Sequence, residues 1–347
     1  MNLKELAEAL SLSPTTVSRA LNGYPEVSES TRQRVVAAAE AMNYRPSARA
    51  RSLALGRAMA IAHVLPRSQH HEMVNPVFTD FIAGAAEVYH EAGYSMVLSL
   101  ASTTDEEAIY RDLAAQRSVD GIIVHAPSIS DSRIALLQDI GLPFVVHGRH
   151  SEGPQDYSWV DVNNRRAFGR ATEHLIDLGH VRISLINGLE DMDFASRRRS
   201  GYERALTQRG IKIDPSIMAS DEMTETYGYE QAKRMLALPC PPTAFVVSSI
   251  ISAFGIRRAV EEAGLKLGRD VSVITHDDDL SYFRNDQGVP VFTAVRSSVR
   301  EAGRRAADIL TRLIDNDISQ PARHLLEVDF VLGQSTGPVP ALERTHI

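Results

Sequence analysis

The 347 residues carry 44 acidic and 37 basic side chains, a net charge of −7, and 44 % of them are hydrophobic. A chain of this length can bury a large core and form more than one domain, and its single cysteine, Cys240, excludes an internal disulfide framework and fits a reducing compartment. The first residues read as a charged amphipathic helix rather than an export signal, and no apolar run reaches the ~20 residues that span a bilayer, so a cytoplasmic protein without membrane contact is expected.

The chain opens with a short helix over Leu3–Leu10, with Leu3, Leu6, Ala7 and Leu10 on one face and Ser11-Leu12 as a turn. Ser13 caps a second helix that begins at Pro14, where a missing N–H costs least. Val17, Ala20 and Leu21 form its apolar stripe, while Thr15, Thr16, Ser18, Arg19 and Asn22 offer hydroxyl, guanidinium and amide groups that can bond base edges or phosphates. Helix, tight turn and capped polar helix predict a helix-turn-helix; a plain helical hairpin is the alternative. A third helix follows from Val27-Ser28-Glu29 to about Asn43, with Val35, Val36, Ala39 and Met42 inward. Beyond it, Tyr44 to Gly56 is a short basic, helix-prone linker broken at Pro46-Ser47. Residues 1–57 hold eight Lys/Arg against five Asp/Glu, a charge of +3, which leaves −10 on the remainder. A basic head on an acidic body binds nucleic acid through the head, with steep salt dependence.

From Arg57 onward strands and helices alternate. Strands are predicted at 58–65, 95–100, 121–125 and 143–147, with helices at 77–92, 105–117 and 130–140 between them. After a polar interruption at 151–158 and an extended 159–162, the rhythm resumes. Helices are expected at 164–178, 196–209, 227–237 and 252–263, and strands at 182–187, 216–220, 243–248 and 270–275. Helix 299–314 and an extended 325–332 close the chain. Two successive runs of this kind predict parallel sheets in two Rossmann-like lobes with a cleft at their carboxyl ends.

The run Ser13-Pro14-Thr15-Thr16-Val17-Ser18-Arg19-Ala20-Leu21-Asn22-Gly23, then Val27-Ser28-Glu29, Tyr44-Arg45-Pro46 and Ala50-Arg51-Ser52-Leu53, resembles the DNA-binding head of the lactose-repressor (LacI/GalR) family over about 55 residues in fixed order. Asn75-Pro76-Val77-Phe78, Val119-Asp120-Gly121-Ile122-Ile123, His174–His180, Arg198–Tyr202 and Asp270–Val273 with Asp277-Asp278 resemble that family's effector domain. The resemblance implies an N-terminal all-α helix-turn-helix head (1–46), a hinge helix (47–56) and an α/β periplasmic-binding-protein-like effector and dimerisation domain (57–347). The lobes would span about 57–158 and 163–290, with a C-terminal segment crossing between them. It also implies that Leu53 wedges into the minor groove, flanked by Arg49 and Arg51, and that Ser13, Thr15, Thr16, Ser18, Arg19 and Asn22 contact operator DNA. Ser47 and Ser11 stand where the family commonly has asparagine and glycine; both are tolerable changes.

A sugar offers vicinal hydroxyls and apolar ring faces, so its receptor needs planar charged or amide groups and aromatic platforms. By resemblance Arg198 grips ligand hydroxyls, with a surface arginine as the alternative, and Asp277 accepts them. Phe78 either faces the cleft or packs in the core. Asn163-Asn164 replaces a common Asp-Asn and Ser249-Ile250 a common Asn-Asp, so Asn163 and Ser249 line a pocket short of two carboxylates. No metal site is expected: His63, His70 and His71 lack a ligand spacing of known type, and Asp277-Asp278-Asp279 reads as an acidic loop. Phosphate-binding loops and a Gly-x-Ser-x-Gly elbow are absent, so neither a cofactor nor a catalytic residue is expected.

The expected protein is thus a ligand-controlled repressor, a homodimer whose further pairing stays open. The turn between the second and third helices resembles the α-glucoside branch of the family, which points to a disaccharide such as trehalose, sucrose or maltose. A purine- or phosphoprotein-sensing relative and, more distantly, a sugar-acting enzyme are the alternatives.

Overall fold

The computed structural model describes residues 2–44, 56–66, 75–101, 106–283, 285 and 288–340. They form two compact units, an N-terminal head and an α/β body built from Ala60 onward. The first unit also takes in Ala58, Met59 and Asp120, whose carboxylate accepts from both backbone N–H groups at 2.8 and 2.6 Å.

Helices α1 (Leu3–Leu10), α2 (Pro14–Leu21) and α3 (Glu29–Ala41) make the head. Asn2 and Glu5 form a reciprocal capping box on α1, and the Ser13 hydroxyl accepts from the Thr16 N–H at 3.0 Å to start α2. Between them Ser11 adopts a left-handed conformation (φ 54°), the geometry that a glycine would supply at least cost. Leu6, Ala7, Val17, Ala20, Val27, Val35 and Ala39 close a small core. Val36 is not part of it: the α3 stripe runs through Val35 and Ala39, which turns Val36 to solvent at 40 % exposure.

The body has two lobes of the same topology. In the first, β1 (Ala60–Pro66), β2 (Ser95–Ala101), β3 (Gly121–His125), β4 (Phe144–His147) and β5 (Ser158–Val162) pair in parallel in the order β5-β4-β3-β1-β2. Helices α4 (Pro76–Ala92), α5 (Glu106–Ala115) and α6 (Ser132–Ile140) connect them. In the second, β6 (Ile183–Asn187), β7 (Met218–Ser220), β8 (Ala244–Val247), β9 (Ser272–Asp277) and β10 (Thr293–Arg296) repeat that order. Here the helices are α7 (Asn164–Asp177), α8 (Asp193–Gln208), α9 (Glu225–Leu236) and α10 (Ile250–Glu262). Strand β3 is buried along its whole length, as a strand covered on both faces must be.

Three crossovers join the lobes. The chain leaves the first sheet after β5 to enter α7, and returns after β10 through α11 (Val299–Ile314), which packs on α4 and on β3, β4 and β5. The expected extended segment 325–332 is two strands: β11 (Arg323–Leu326) joins the first sheet beside β5, and β12 (Asp329–Val331) joins the second antiparallel to β10. Strand β10 is not among the predicted strands, because only four residues carry it and Pro290 lies just before them. Strand β7 is shorter than expected since Pro215–Ile217 forms a 3-10 turn, and α8 begins three residues early, at Asp193.

Helices α4 and α11 approach through glycines. A Cβ on Gly303 would collide with the Phe81 carbonyl, and one on Gly84 with the Arg300 carbonyl. Gly303→Val is therefore expected to cost about 3 kcal/mol through overpacking, read as a lowered urea midpoint; an unchanged midpoint would contradict so close a contact.

Candidate functional site

The head presents α2. Thr15 and Arg19 are exposed one turn apart, opposite the buried Val17 and Ala20. The other polar residues of that helix are partly occupied locally. Ser13 caps α2 and shares a 2.8 Å hydroxyl bond with Thr16, and the Asn22 amide donates to the Ser18 carbonyl at 2.9 Å. Two arginines that could have contacted DNA are also used structurally: Arg32 donates to the Tyr24 carbonyl at 3.1 Å and Arg34 to the Leu10 carbonyl at 3.2 Å. Arg49, Arg51 and Leu53 lie outside the described residues, as do His70 and His71.

In the body a cavity of about 370 Å³ lies between the lobes. It sits at the N-termini of α4, α8, α9, α10 and α11 and just past the carboxyl ends of the strands, where open α/β sheets bind their ligands. The lobes touch directly at its margin. Asp193 N–H donates to the Pro127 carbonyl at 3.0 Å, Ser151 Oγ to the Asp193 carboxylate at 2.6 Å, and Ser281 N–H to Asp80 at 2.8 Å.

Arg198 is the best-anchored polar side chain in the cavity wall. It projects from α8, 6 % exposed, sandwiched between the rings of Phe168 and Phe194 at 5.1 and 5.0 Å. Nε donates to Asn164 Oδ1 at 2.7 Å and Nη1 to the Ser248 carbonyl at 2.6 Å. Burial lowers its pKa to about 10, against the pull of Asp278 and Asp161, so it stays cationic near neutral pH. Two of the five guanidinium N–H groups are fixed this way; the other three suit a pair of hydroxyls.

Carboxylates complete the polar wall. Burial opposes ionisation of Asp278, but His276 at 3.2 Å, Arg198 and His147 outweigh it and hold the acid below its usual range. Asp161 is raised by burial despite the Arg149 guanidinium at 2.7 Å. Apolar surface comes from Phe78, Phe194, Leu189, Met192 and Ile251. Beneath Phe78 lies a histidine cluster: His63 Nδ1 meets His125 Nε2 at 3.0 Å, and His147, in the cavity wall, stacks on Phe81 at 4.3 Å.

Of the five sequence candidates, Phe78, Arg198 and Ser249 line the cavity. Ser249 does so while capping α10 through the Ile251 N–H at 3.2 Å. Asp277 and Asn163 do not line the cavity, whereas their neighbours Asp278 and Asn164 do. Side chains alternate at the end of β9, so His276 and Asp278 reach the cavity while Asp277, 1 % exposed, pairs with Arg296 at 3.5 Å. Asn163 caps α7 and donates to Glu327 at 2.9 Å outside the cavity, whereas Asn164 turns inward to Arg198. His147, Phe194 and Asp161 were missed; their position at strand ends or a helix start was the available signal. Among the described residues no group of three or more His, Cys, Asp or Glu is placed to hold a metal ion, and no helix is long and apolar enough to cross a membrane.

Comparison with known proteins covers both units. Residues 2–47 match the family described as bacterial regulatory proteins, lacI family, and residues 172–336 match a periplasmic binding protein-like domain. The chain is 44 % identical over 340 residues to the HTH-type transcriptional regulator AglR of Rhizobium meliloti (strain 1021), covering 98 % of this chain and 95 % of that one. It is 32 % identical to the HTH-type transcriptional regulator RafR of Escherichia coli, over 91 % and 92 % of the two chains. Among solved structures, the lac repressor dimer bound to operator and the anti-inducer ONPF superposes with a TM-score of 0.80 at 26 % identity, over 97 % of this chain and 99 % of that one. The complex of the transcriptional regulator CelR with cellobiose gives 0.72 at 26 % identity, over 96 % and 99 %.

Proposed function

The chain belongs to the lacI family of bacterial transcriptional regulators, DNA-binding proteins and not enzymes, and from that premise we propose that it represses a carbohydrate uptake or catabolism operon under the control of a sugar bound between its lobes. The carrying observation is Arg198, a buried cation between two aromatic rings with three N–H groups to spare beside the Asp278 carboxylate. That is the donor–acceptor pairing a vicinal diol requires, and the apolar remainder of the wall suits sugar ring faces. A cavity of about 370 Å³ fits a small oligosaccharide. An α-glucoside disaccharide is the proposed ligand; the cellobiose complex of CelR supports the disaccharide class but not the α linkage, since cellobiose is β-linked.

DNA contact is proposed for Ser13, Thr15, Thr16, Ser18, Arg19 and Asn22, with Arg49, Arg51 and Leu53 following in the linker. Thr15 and Arg19 are the best placed of the first six. An eight-residue recognition helix reads too few base pairs to select a site in a genome, so a homodimer on a near-palindromic operator is proposed, with the head at 1–46, the hinge at 47–56 and the effector domain from 57 onward. Sugar and operator then favour different lobe arrangements and must weaken each other by one common factor.

In a gel-retardation titration on the regulated promoter, Arg19→Ala is expected to weaken binding about tenfold or more, and trehalose, maltose or sucrose to shift the wild-type midpoint. Equal binding by the variant would remove Arg19 from the interface. Insensitivity to every sugar alongside a response to purines would replace the proposed ligand.

A further inference from the structure

A second concave site lies on the second lobe and shares no residue with the cavity. Between α7 and α8 runs a groove of about 420 Å³ walled by Arg165, Arg166 and Arg170 from one helix and Arg204 from the other. Its floor is hollow because the helices cross at glycines: a Cβ on Gly201 would strike the Arg165 carbonyl, and one on Gly169 would lie 3.7 Å from the Gly201 carbonyl. Among the described residues Glu173 is the one carboxylate in the wall. Four guanidinium groups against one carboxylate are conspicuous in a chain that carries −10 beyond residue 57.

Two of these arginines are not consumed by the fold. Arg165 and Arg204 are exposed and make no hydrogen bond or ion pair among the described residues. Arg170 donates to the Val328 carbonyl at 3.2 Å and stacks on Phe330, which holds its head in place. Arg166, one turn before Arg170, meets Glu327 at 3.2 Å in a solvent-exposed pair. Like charges at i and i+4 repel, so the arrangement is stabilised by an anion between them. Planar guanidinium forks lining one concavity suit the oxygens of a phosphoryl group.

We propose that this groove binds a phosphate-bearing small molecule and thereby acts as a second regulatory site. Its volume is that of a small-ligand pocket, and the negative field of the body disfavours a long polyanion such as nucleic acid there. The link to regulation is Glu327. It sits in the β11–β12 crossover, accepts from Asn163 in the β5–α7 crossover at 2.9 Å, and pairs with Arg166 on the groove wall. A phosphate drawn to Arg166 competes with Glu327 and loosens the tie between two of the three strands that join the lobes. This inference does not depend on which sugar the cavity takes.

The test is calorimetric titration of the full chain with inorganic phosphate, pyrophosphate and a hexose phosphate at fixed ionic strength, with potassium chloride as the control. At least one probe is expected to bind saturably at submillimolar concentration, and the strongest of the three identifies the source class. The R165A/R204A double variant, which removes two exposed side chains without partners, should melt like wild type and bind that probe about tenfold or more weakly. Absence of saturable binding by all three probes up to millimolar concentration overturns the proposal. Undiminished binding by the double variant overturns it too, since the phosphate would then sit elsewhere, for instance on the basic head.

Discussion

Arg198→Leu abolishes the response of operator binding to sugar while leaving sugar-free operator affinity within about twofold of wild type; this is the expected result with the largest functional effect. The guanidinium is held flat by Asn164 and Ser248 and by two rings, so little conformational entropy is lost when a ligand arrives. Hydrogen bonds to a charged group are worth about 1.5–3 kcal/mol each, and losing two of them weakens sugar binding about 100-fold or more. Leucine preserves apolar packing between Phe168 and Phe194, but Asn164 Oδ1 and the Ser248 carbonyl lose their donor, so a modest fall in melting temperature accompanies the change. Fluorescence anisotropy of a labelled operator, titrated with sugar at fixed protein concentration, separates the two effects. A variant that responds to the wild-type sugar concentration would take Arg198 out of the site.

The body is also expected to lose stability steeply between pH 6.5 and pH 5. Burial pushes His63 down to about 3, with His147 adding to the shift, and pushes His147 to about 4 against the pull of Asp278; His125 is driven well below its ordinary value by burial and by His63. A histidine whose pKa is lower folded than unfolded costs nothing above its unfolded value of about 6.5. Below that it destabilises the fold by about 1.4 kcal/mol per pH unit, until the folded value is reached. For His63 and His147 together the loss at pH 5 is up to about 4 kcal/mol, and His125 adds to it. Urea unfolding at pH 7 and pH 5 measures the difference. His147→Phe keeps the stack on Phe81 and removes one titrating group, so its two midpoints should lie closer together than those of wild type. Equal wild-type midpoints at the two pH values would show that the cluster is not held neutral.

Much of this was legible in the chain because it is local. The Ser13-Pro14 start of α2, the Val17–Ala20–Leu21 stripe and the alternation of apolar strands with amphipathic helices follow from capping and periodicity within a few residues. The motif around Arg198 likewise lies on one helix, and its neighbours Arg197 and Arg199 turn to Asp193 and to Glu190 and Glu203 instead. Residue type alone could not choose between adjacent candidates. Asp277 and Asp278 are chemically identical, and only the register of β9 against β8 and β10 sends the second into the cavity. Asn163 and Asn164 are separated in the same way, by the first turn of α7, one reaching Glu327 and the other Arg198.

By itself, then, the sequence determined the helix-turn-helix head and the two α/β lobes, and its family resemblance singled out Arg198 as a candidate grip for a polar ligand without deciding whether that side chain is buried. The tertiary structure decided which of two neighbouring acids faces the ligand space, that residues 325–332 divide between two sheets, and that three histidines from β1, β3 and β4 meet under Phe78. Caps and hydrophobic stripes are fixed by interactions a few residues apart. The arrangement of side chains brought together by parallel strands is fixed by pairings of segments up to more than a hundred residues apart, which no local pattern encodes.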